Sequence, residues 1–350
     1  RRAFVWRFTL DHEARPIETT LTRAVIRSRH RWSYAEAHAA ITDGTAPETL
    51  LALAWFGPLR AERESERGGA SLNMPDTEIV VEHGRYRLER DAPRPIEDWN
   101  AQVSLLTGMA AAEIMLRGGV GILRTMPPAD DADVAAFRAR TAALGRPWPD
   151  EVEYGDYLRE LDHDDPATTA IRDAAASLFR GAGYAVFDGE PPAQIVQAAI
   201  GAPYAHTTAP LRRLVDRWSL VICEALANGR TVPEWARQSL PELPKLMGRS
   251  DQRARQFDAA SIDRVEAAVL HGREGTVFEA VALGASKGGT RVQFSAPPVT
   301  AKVAGLTAAA GARVQLRLES ADIDTGVTTF VPVAARALDM QRRDERTLAP

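Results

Sequence analysis

Apolar residues recur with two different periods along this chain, and the change of period divides it. Apolar positions spaced three or four residues apart predict amphipathic helices over 96–117, 131–144, 151–161, 166–180, 209–228 and 251–270. Alternating positions predict strands over 3–10, 17–28, 79–81 and 85–88. Between 275 and 333, short alternating runs separated by glycine-rich turns predict a five-stranded barrel of the OB type. The fold class is therefore a mixed, helix-rich α/β domain followed by a small all-β barrel.

Local signals predict where several helices begin and end. Ser33 with Glu36 forms a capping box, and Thr45 with Glu48 repeats that device before a second helix. We expect the second helix to continue through the charged stretch 60–67, interpreted as a solvated face, and to stop at the next glycines. The helix over 96–117 should end at Gly118 and Gly119, because glycine is a favoured C-cap.

Composition limits the compartment and the partners. The chain has 350 residues, 45% of them hydrophobic, and a formal net charge of −4, so any nucleic-acid contact must come from local patches. Cys223 is the only cysteine, which excludes a disulfide framework, predicts a buried thiol and fits the cytoplasm. No apolar segment approaches the roughly 20 residues that span a bilayer, so we expect no membrane contact.

Residues 204–218 place two arginines where a helix is predicted to begin. Pro210 suits the first helical position, and Thr207 or Thr208 can cap the helix. Arg212 and Arg213 then lie in the first turn, where the helix dipole disfavours cations and favours an anion. Such a turn can clamp a phosphate, or it can be a solvated basic face with an Arg-to-Asp pair. The predicted apolar stripe of this helix consists of Leu211, Leu214, Val215, Trp218 and Ile222.

This run, YAHTTAPLRRLVD over 204–216, resembles the signature Y-x-x-x-T-x-P-I-R-R-x-x-D of the RNB domain, the catalytic domain of RNase II and RNase R. IRSRHRWSY over 26–34 resembles the family segment I-x-S-x-x-x-L-T-Y, and residues 1–11 resemble the strand before it. The surroundings of residues 181–184 and 201–203 are most similar to divergent bacterial members. The resemblance implies an RNB domain over 1–272, incomplete at its N-terminus, an OB-type RNA-binding domain over 273–335 and a tail over 336–350.

The resemblance also implies an activity, which is hydrolytic 3′–5′ exoribonuclease action on single-stranded RNA, with Mg²⁺, releasing nucleoside 5′-monophosphates. Arg212 falls on the family arginine that stabilises the charge on the scissile phosphate. Asp258 falls where the family commonly has an acidic residue beside the active site, or it is a solvated carboxylate among neighbouring arginines. Asp216 either orients an arginine or forms an ordinary salt bridge. The residues that we expect to contact RNA are Tyr204, His206, Thr208, Arg213, Asp216, Lys287 and Arg291.

The barrel sequence supplies cations and few aromatic residues. We expect weak, salt-sensitive RNA affinity, or alternatively a barrel that serves only to pack against the first domain. The tryptophans can stack on bases, although a tryptophan in an apolar pattern more often lies in the core. The barrel cations are Lys287, Arg291, Lys302, Arg313 and Arg317, its aromatic residues are Phe278, Phe294 and Phe330, and the tryptophans in question are Trp6, Trp32, Trp99 and Trp235.

The family's magnesium-binding aspartates, D-x-x-x-x-x-D-x-D-D, lie upstream of the strand that opens this chain. We therefore expect the metal ligands to lie outside residues 1–350 and this chain alone to be inactive. The nearest imitation, residues 162–165 directly before Pro166, is interpreted as a loop and helix cap. The alternative function is a non-catalytic RNA-binding or scaffold protein that retains the RNB shell. We expect a monomer.

Overall fold

A β-hairpin opens the fold. The computed structural model describes residues 1–70, 76–83, 85–91, 94–162 and 166–333. β1 (Arg2–Leu10) pairs antiparallel with β2 (Pro16–Val25), which ends earlier than the predicted residue 28. The Asp11 carboxylate holds the turn, accepting from the backbone N–H groups of Glu13 at 2.9 Å and Arg15 at 2.8 Å.

Two helices follow, and they begin in different ways. At α1 (Tyr34–Thr42), Ser33 and Glu36 form the predicted capping box. The capping box predicted for α2 (Glu48–Glu66) is wrong, because Pro47 occupies the N-cap position and Thr45 donates its hydroxyl hydrogen to the Ala40 carbonyl instead. Pro47 has no side-chain acceptor, so this helix starts without a side-chain cap.

The charged end of α2 is not the solvated face that the sequence predicts. Arg60 and Glu64 are each only 3% exposed, because α3 (Pro95–Gly118) packs along this side of α2. Arg60 donates to the Ala14 carbonyl in the β1–β2 turn, and Gln102 of α3 donates to Glu64. The predicted C-cap of α3 is confirmed, since Gly119 has φ 69°.

Two antiparallel strand pairs lie on either side of α3 in the sequence. β3 (Asp76–Glu82) pairs with β4 (Arg85–Asp91) where strands over 79–81 and 85–88 were predicted, although Gly84 between them lies outside the described residues. β5 (Val120–Thr125) directly follows α3 and pairs with β6 (Gly183–Asp188), far along the chain. This second pairing brings together the two ends of the helical segment that lies between β5 and β6.

The helical segment between β5 and β6 forms its own small hydrophobic core. α4 (Asp131–Ala143), α5 (Tyr154–Arg159) and α6 (Pro166–Ala175) enclose Phe137 and Leu158, with Trp148 packed against them. The last two helices are shorter than predicted, and a 3-10 turn over Ala176–Leu178 ends the third. Residues 163–165 lie outside the described residues, so the loop interpretation of residues 162–165 stays a prediction.

The chain then crosses the main core. The short strands β7 (Val196–Gln197) and β8 (Ala202–Pro203) lead to α7 (Leu214–Ala227), α8 (Glu234–Ser239) and α9 (Leu243–Leu270). α9 begins before the predicted residue 251, because Pro244 lies in its first turn, where proline is tolerated. The thiol of Cys223 is fully buried as predicted, and burial raises its pKa. No helix within the described parts of the chain is long and apolar enough to cross a membrane.

The five-stranded barrel is confirmed. β9 (Val277–Ser286), β10 (Gly289–Phe294), β11 (Thr300–Ala304), β12 (Arg313–Asp322) and β13 (Val327–Pro332) form one antiparallel sheet in the order β11-β10-β9-β12-β13. Leu88 of β4 and Leu270 of α9 lie in the same hydrophobic cluster as the barrel's Phe294. The barrel core is therefore continuous with side chains from the first domain.

Candidate functional site

The arginine loop, defined here as residues 204–213, lies before α7 rather than inside it. Arg213 is the N-cap with extended dihedral angles, φ −117° and ψ 120°, and the helix begins at Leu214. The backbone N–H groups of Arg212 and Arg213 donate to the Ala209 carbonyl at 3.1 and 2.9 Å, which closes a turn. The prediction that Pro210 starts the helix is therefore wrong. Leu211 is 95% exposed and does not join the apolar stripe, whereas Val215 and Ile222 are buried as predicted.

Asp216 explains this local structure. Its fully buried carboxylate accepts from the Ala209 N–H at 2.6 Å and from Nε and Nη2 of Arg213 at 2.9 and 3.0 Å. It also sits in the first turn of α7, where the helix dipole favours an anion, and it replaces the threonine cap predicted from the sequence. The Arg213–Asp216 contact is an ion pair between residues three apart, which is compatible with both roles considered for Asp216, so the choice between them stays a prediction. Thr208 accepts a further hydrogen bond from Arg213 at 3.3 Å.

Arg212 differs from Arg213 in its exposure and in its side-chain contacts. The side chain is exposed, and within the described parts of the chain it makes no hydrogen bond or ion pair. Arg213 is neutralised by the buried Asp216, so Arg212 is the guanidinium of the loop that is open to an anion from solvent. A guanidinium can grip two phosphate oxygens at once.

An aromatic cluster lies beside this loop, and the sequence analysis missed half of it. The Tyr184 hydroxyl of β6 lies 2.9 Å from Nδ1 of His206, and the rings of Tyr184 and Tyr204 pack edge-on against the His206 ring. Arg124 of β5 places its guanidinium 4.8 Å from the centre of the Tyr184 ring. The backbone N–H of Arg124 donates to the Tyr204 carbonyl at 2.8 Å. The one sequence signal for Arg124 was a charged residue inside an otherwise apolar strand.

The charges around this cluster determine its protonation. Burial, together with the positive charges of Arg213, Arg124 and Arg212, lowers the pKa of His206 to about 3. Burial raises the pKa of Tyr184 to about 12, with Asp251 and Asp216 acting in the same direction and Arg124 and Arg213 against it. At neutral pH the histidine is therefore uncharged and the phenol keeps its proton.

The acidic residue of α9 that acts on this cluster is Asp251. Asp258, the predicted catalytic carboxylate, is exposed on the same helix, and its side chain has no hydrogen bond or ion pair to any residue that the structure describes. The two aspartates are seven residues apart, about two helical turns, and so share one face of α9. A functional role for Asp258 stays a prediction.

A metal centre is not visible within the described ranges. They contain no group of three or more His, Cys, Asp or Glu side chains that could hold a metal ion. Asp156 precedes Asp162 by the spacing of the family's aspartate motif, a match that the sequence analysis overlooked. In the structure the Asp156 carboxylate accepts from Ser65 at 2.8 Å and pairs with Arg159, and these contacts lower its pKa. Residues 163–165, which complete the motif spacing, lie outside the described residues.

The barrel carries its predicted cations on an outer surface. Arg291 of β10 and Lys302 of β11 are directly opposite each other across the two strands, and both are exposed, as is Lys287. Arg313 is paired with Glu279 at 2.9 Å. The three phenylalanines of the barrel are buried and pack against one another, so they do not add to the small supply of aromatic residues for base stacking. They are Phe278, Phe294 and Phe330.

The tryptophans divide between core and surface. Trp99 covers Gly57 of α2 so closely that a Cβ there would clash with its ring, and Trp6 packs against the main core. Trp32 and Trp235 are exposed, and Trp235 meets Trp218 edge-on. Of these four tryptophans, Trp32 and Trp235 have exposed rings that are accessible for stacking on bases.

Comparison with known families and structures gives consistent matches. The RNB domain model matches residues 1–226, and the model of the RNase II-type exonuclease C-terminal S1 domain matches residues 276–333. Mycoplasma genitalium RNase R in complex with ribose-methylated single-stranded RNA is similar with a TM-score of 0.81 and 16% identity, over 95% of this chain and 58% of that one. The structure of Mycoplasma genitalium RNase R in complex with double-stranded RNA is similar with a TM-score of 0.77 and 17% identity, over 95% of this chain and 60% of that one.

A third similar structure is yeast Ssd1, described as a pseudonuclease, with a TM-score of 0.62 and 14% identity, over 87% of this chain and 39% of that one. At these identities the solved structures establish the fold. The chain spans about three fifths of the RNase R chain that it matches. A comparison of the sequence with curated proteins gives no match.

Proposed function

Because this chain belongs to the RNB family, we propose that it acts in RNA degradation or processing. The proposed reaction is hydrolytic 3′–5′ exoribonuclease action in the cytoplasm, which releases nucleoside 5′-monophosphates from single-stranded RNA. In this proposal Arg212 contacts the scissile phosphate and stabilises the negative charge that develops on it.

The observation that carries the proposal is the contrast between two adjacent arginines. Asp216 holds Arg213 with two hydrogen bonds, and this fixes the turn that presents Arg212 to solvent. Arg212 has no protein partner in the described ranges, and its charge also acts on the buried His206. A cation held on a rigid turn without a carboxylate partner is suited to stabilising a phosphate in a transition state.

Mg²⁺ is implied by the family resemblance, but the side chains described here do not fit a magnesium site. Magnesium prefers several oxygen ligands in octahedral geometry, and no carboxylate cluster of that kind lies in the described ranges. We therefore assign to this chain the binding of RNA and the neutralisation of phosphate charge. No described residue is assigned the activation of water.

The same observation favours a second candidate function, a non-catalytic RNA-binding or scaffold protein with the RNB fold. Such a protein needs the cationic loop and the barrel surface but not the metal ligands. The similar structure of yeast Ssd1, a pseudonuclease, is an example of this fold without nuclease function. The two candidates agree on RNA binding and differ on cleavage.

Both candidates can be tested with a labelled single-stranded oligoribonucleotide. We expect residues 1–350 to bind it and, with Mg²⁺, to leave it intact. We expect the complete encoded protein to shorten it from the 3′ end to nucleoside 5′-monophosphates. Binding without cleavage by the complete protein would favour the second candidate. Cleavage by residues 1–350 would contradict the assignment of the metal ligands, and absence of binding would contradict both candidates.

A further inference from the structure

We infer that Arg124 and His206 form a second phosphate-binding position beside Arg212, with Tyr184 holding both residues in place. The inference deepens the proposed function and rests on it. It adds two residues, Arg124 and Tyr184, that lie outside the signature over 204–216. The ligand is the phosphate group of an RNA backbone.

Arg124 is held rigidly but is not neutralised. Its guanidinium packs on the Tyr184 ring at 4.8 Å and donates through Nη1 to the Gly183 carbonyl at 3.4 Å. Within the described residues it forms no ion pair with a carboxylate, although Asp251 lies close enough to act on Tyr184. A cation–π contact fixes the plane of a guanidinium without removing its charge.

The charges of three guanidinium groups act on His206, and one of the three is paired with a carboxylate in the described structure. Arg213 is bound to Asp216, whereas Arg124 from β5 and Arg212 from the loop have no carboxylate partner in the described structure. Like charges around a half-buried, neutral ring repel one another in a medium of low dielectric. A bound phosphate would remove that repulsion, which is the physical reason to place an anion here.

The tautomer of His206 fits the same ligand. The Tyr184 phenol keeps its proton at neutral pH, and its nearest acceptor is Nδ1 of His206 at 2.9 Å. When Nδ1 accepts this hydrogen bond, the neutral ring carries its proton on Nε2. Nε2 has no hydrogen-bond partner among the described residues, so it offers an N–H to an anion oxygen.

The test measures how RNA affinity depends on salt for residues 1–350. Neutralising one phosphate contact on a single strand should reduce the slope of log affinity against log salt by about 0.7. We expect Arg124→Gln to reduce the slope by about 0.7 and the affinity about 10-fold. Arg124→Lys should keep the slope. Arg138→Gln is the matched control, because Arg138 also lies over an aromatic ring, 4.0 Å from Trp148, but outside this cluster.

A second measurement follows the His206 ring directly by NMR. Inorganic phosphate should shift the His206 resonances in the wild type and in Tyr184→Phe, but not in Arg124→Gln. Arg124→Gln should also raise the pKa of His206, because one of the positive charges that lower it is removed. Tyr184→Phe keeps the ring beneath Arg124 and tests the hydroxyl alone, with an expected loss of RNA affinity of about 2- to 10-fold.

The outcomes separate this inference from the proposed function. Wild-type binding with an unchanged slope in Arg124→Gln overturns the second phosphate position and leaves the proposed function standing. Loss of slope in Arg138→Gln as well would mean that the effect is general charge, and this also overturns the inference. Absence of RNA binding by the wild type contradicts the proposed function. In that case, a phosphate shift at His206 that depends on Arg124 would still support the anion site.

Discussion

The arginine loop and the outer surface of the barrel are both cationic, but they are built in opposite ways. In the loop, the buried carboxylate of Asp216 binds Arg213. The adjacent Arg212 is exposed, and its side chain has no partner among the described residues. On the barrel, Arg291 and Lys302 extend from neighbouring strands into solvent, with the aromatic residues buried beneath them. Fixed charges next to buried groups suit stabilisation of one phosphate in a reaction, whereas exposed charges suit attraction of a strand. In the proposed function, the loop therefore stabilises charge in the reaction and the barrel contributes RNA affinity.

The largest expected effect is that of Arg212→Ala on turnover by the complete encoded protein. Losing a charge that acts mainly in the transition state should lower single-turnover cleavage about 100-fold, with a much smaller change in RNA affinity. Arg212→Lys should rescue poorly, because an ammonium cannot make a planar two-point contact. Arg313→Ala, in the barrel, is the control and should change turnover less than two-fold, since Arg313 is already paired with Glu279. Unchanged turnover in Arg212→Ala would remove the distinction between the two regions.

The next effect concerns stability and separates a buried ion pair from an exposed one. Asp216→Asn should lower the free energy of unfolding by about 2 kcal/mol, because Arg213 and the Ala209 N–H lose a charged acceptor in a buried position. Glu279→Gln removes the equivalent carboxylate on the barrel. It should cost less than about 1 kcal/mol, since both partners are exposed. Urea unfolding of residues 1–350 measures both, and equal losses would contradict the proposed difference in construction.

Changes to the barrel surface should alter RNA affinity but not the rate of cleavage. Replacing Arg291 and Lys302 together by glutamine removes two cations that lie directly opposite each other. We expect the slope of log affinity against log salt to fall by as much as about 1.4, with single-turnover cleavage of bound RNA unchanged. If the slope does not change, the barrel serves to pack against the first domain, which is the alternative drawn from the sequence.

The smallest expected effect lies where the barrel meets α9. Burial raises the pKa of Glu266 from its ordinary value of 4.5 to about 7, with Asp263 acting in the same direction and the hydrogen bond from the Thr300 N–H against it. A carboxyl group with a raised pKa stabilises the fold below pH 4.5, and this contribution is lost as the pH rises through 7. Glu266→Gln keeps an oxygen for Thr300 and stays neutral. As the pH rises from 5 to 8, the free energy of unfolding of Glu266→Gln should therefore increase by about 1 kcal/mol relative to that of the wild type.

Thermal or urea unfolding across that pH range measures the effect of Glu266→Gln. His206 provides a contrast in sign within the first domain. Because its pKa is lowered to about 3, the neutral ring stabilises the fold above the ordinary value of 6.5, and this contribution is lost as the pH falls towards 3. If Glu266→Gln shows the same pH dependence as the wild type between pH 5 and pH 8, Glu266 is not the source of the effect.

Most of the architecture follows from local patterns. The capping box at Ser33, the glycine that ends α3 and the five barrel strands were predicted because each depends on residues close in sequence. The signature over 204–216 was also recognisable, and it identified Arg212 and Asp216 as residues of interest. Local spacing is sufficient for such features because neighbouring residues make the decisive hydrogen bonds.

Tertiary structure decided the features that depend on distant residues. The sequence could not show that Asp216 would bind Arg213 and the Ala209 N–H and so delay the start of α7 to Leu214. Nor could it show that β5 and β6, separated by a helical excursion, would bring Arg124 onto Tyr184 beside His206. These contacts join segments far apart in the chain, and no periodicity records them. The sequence by itself determined which side chains could bind phosphate, and folding determined which of them are left free to do so, because burial and pairing are properties of the packed structure.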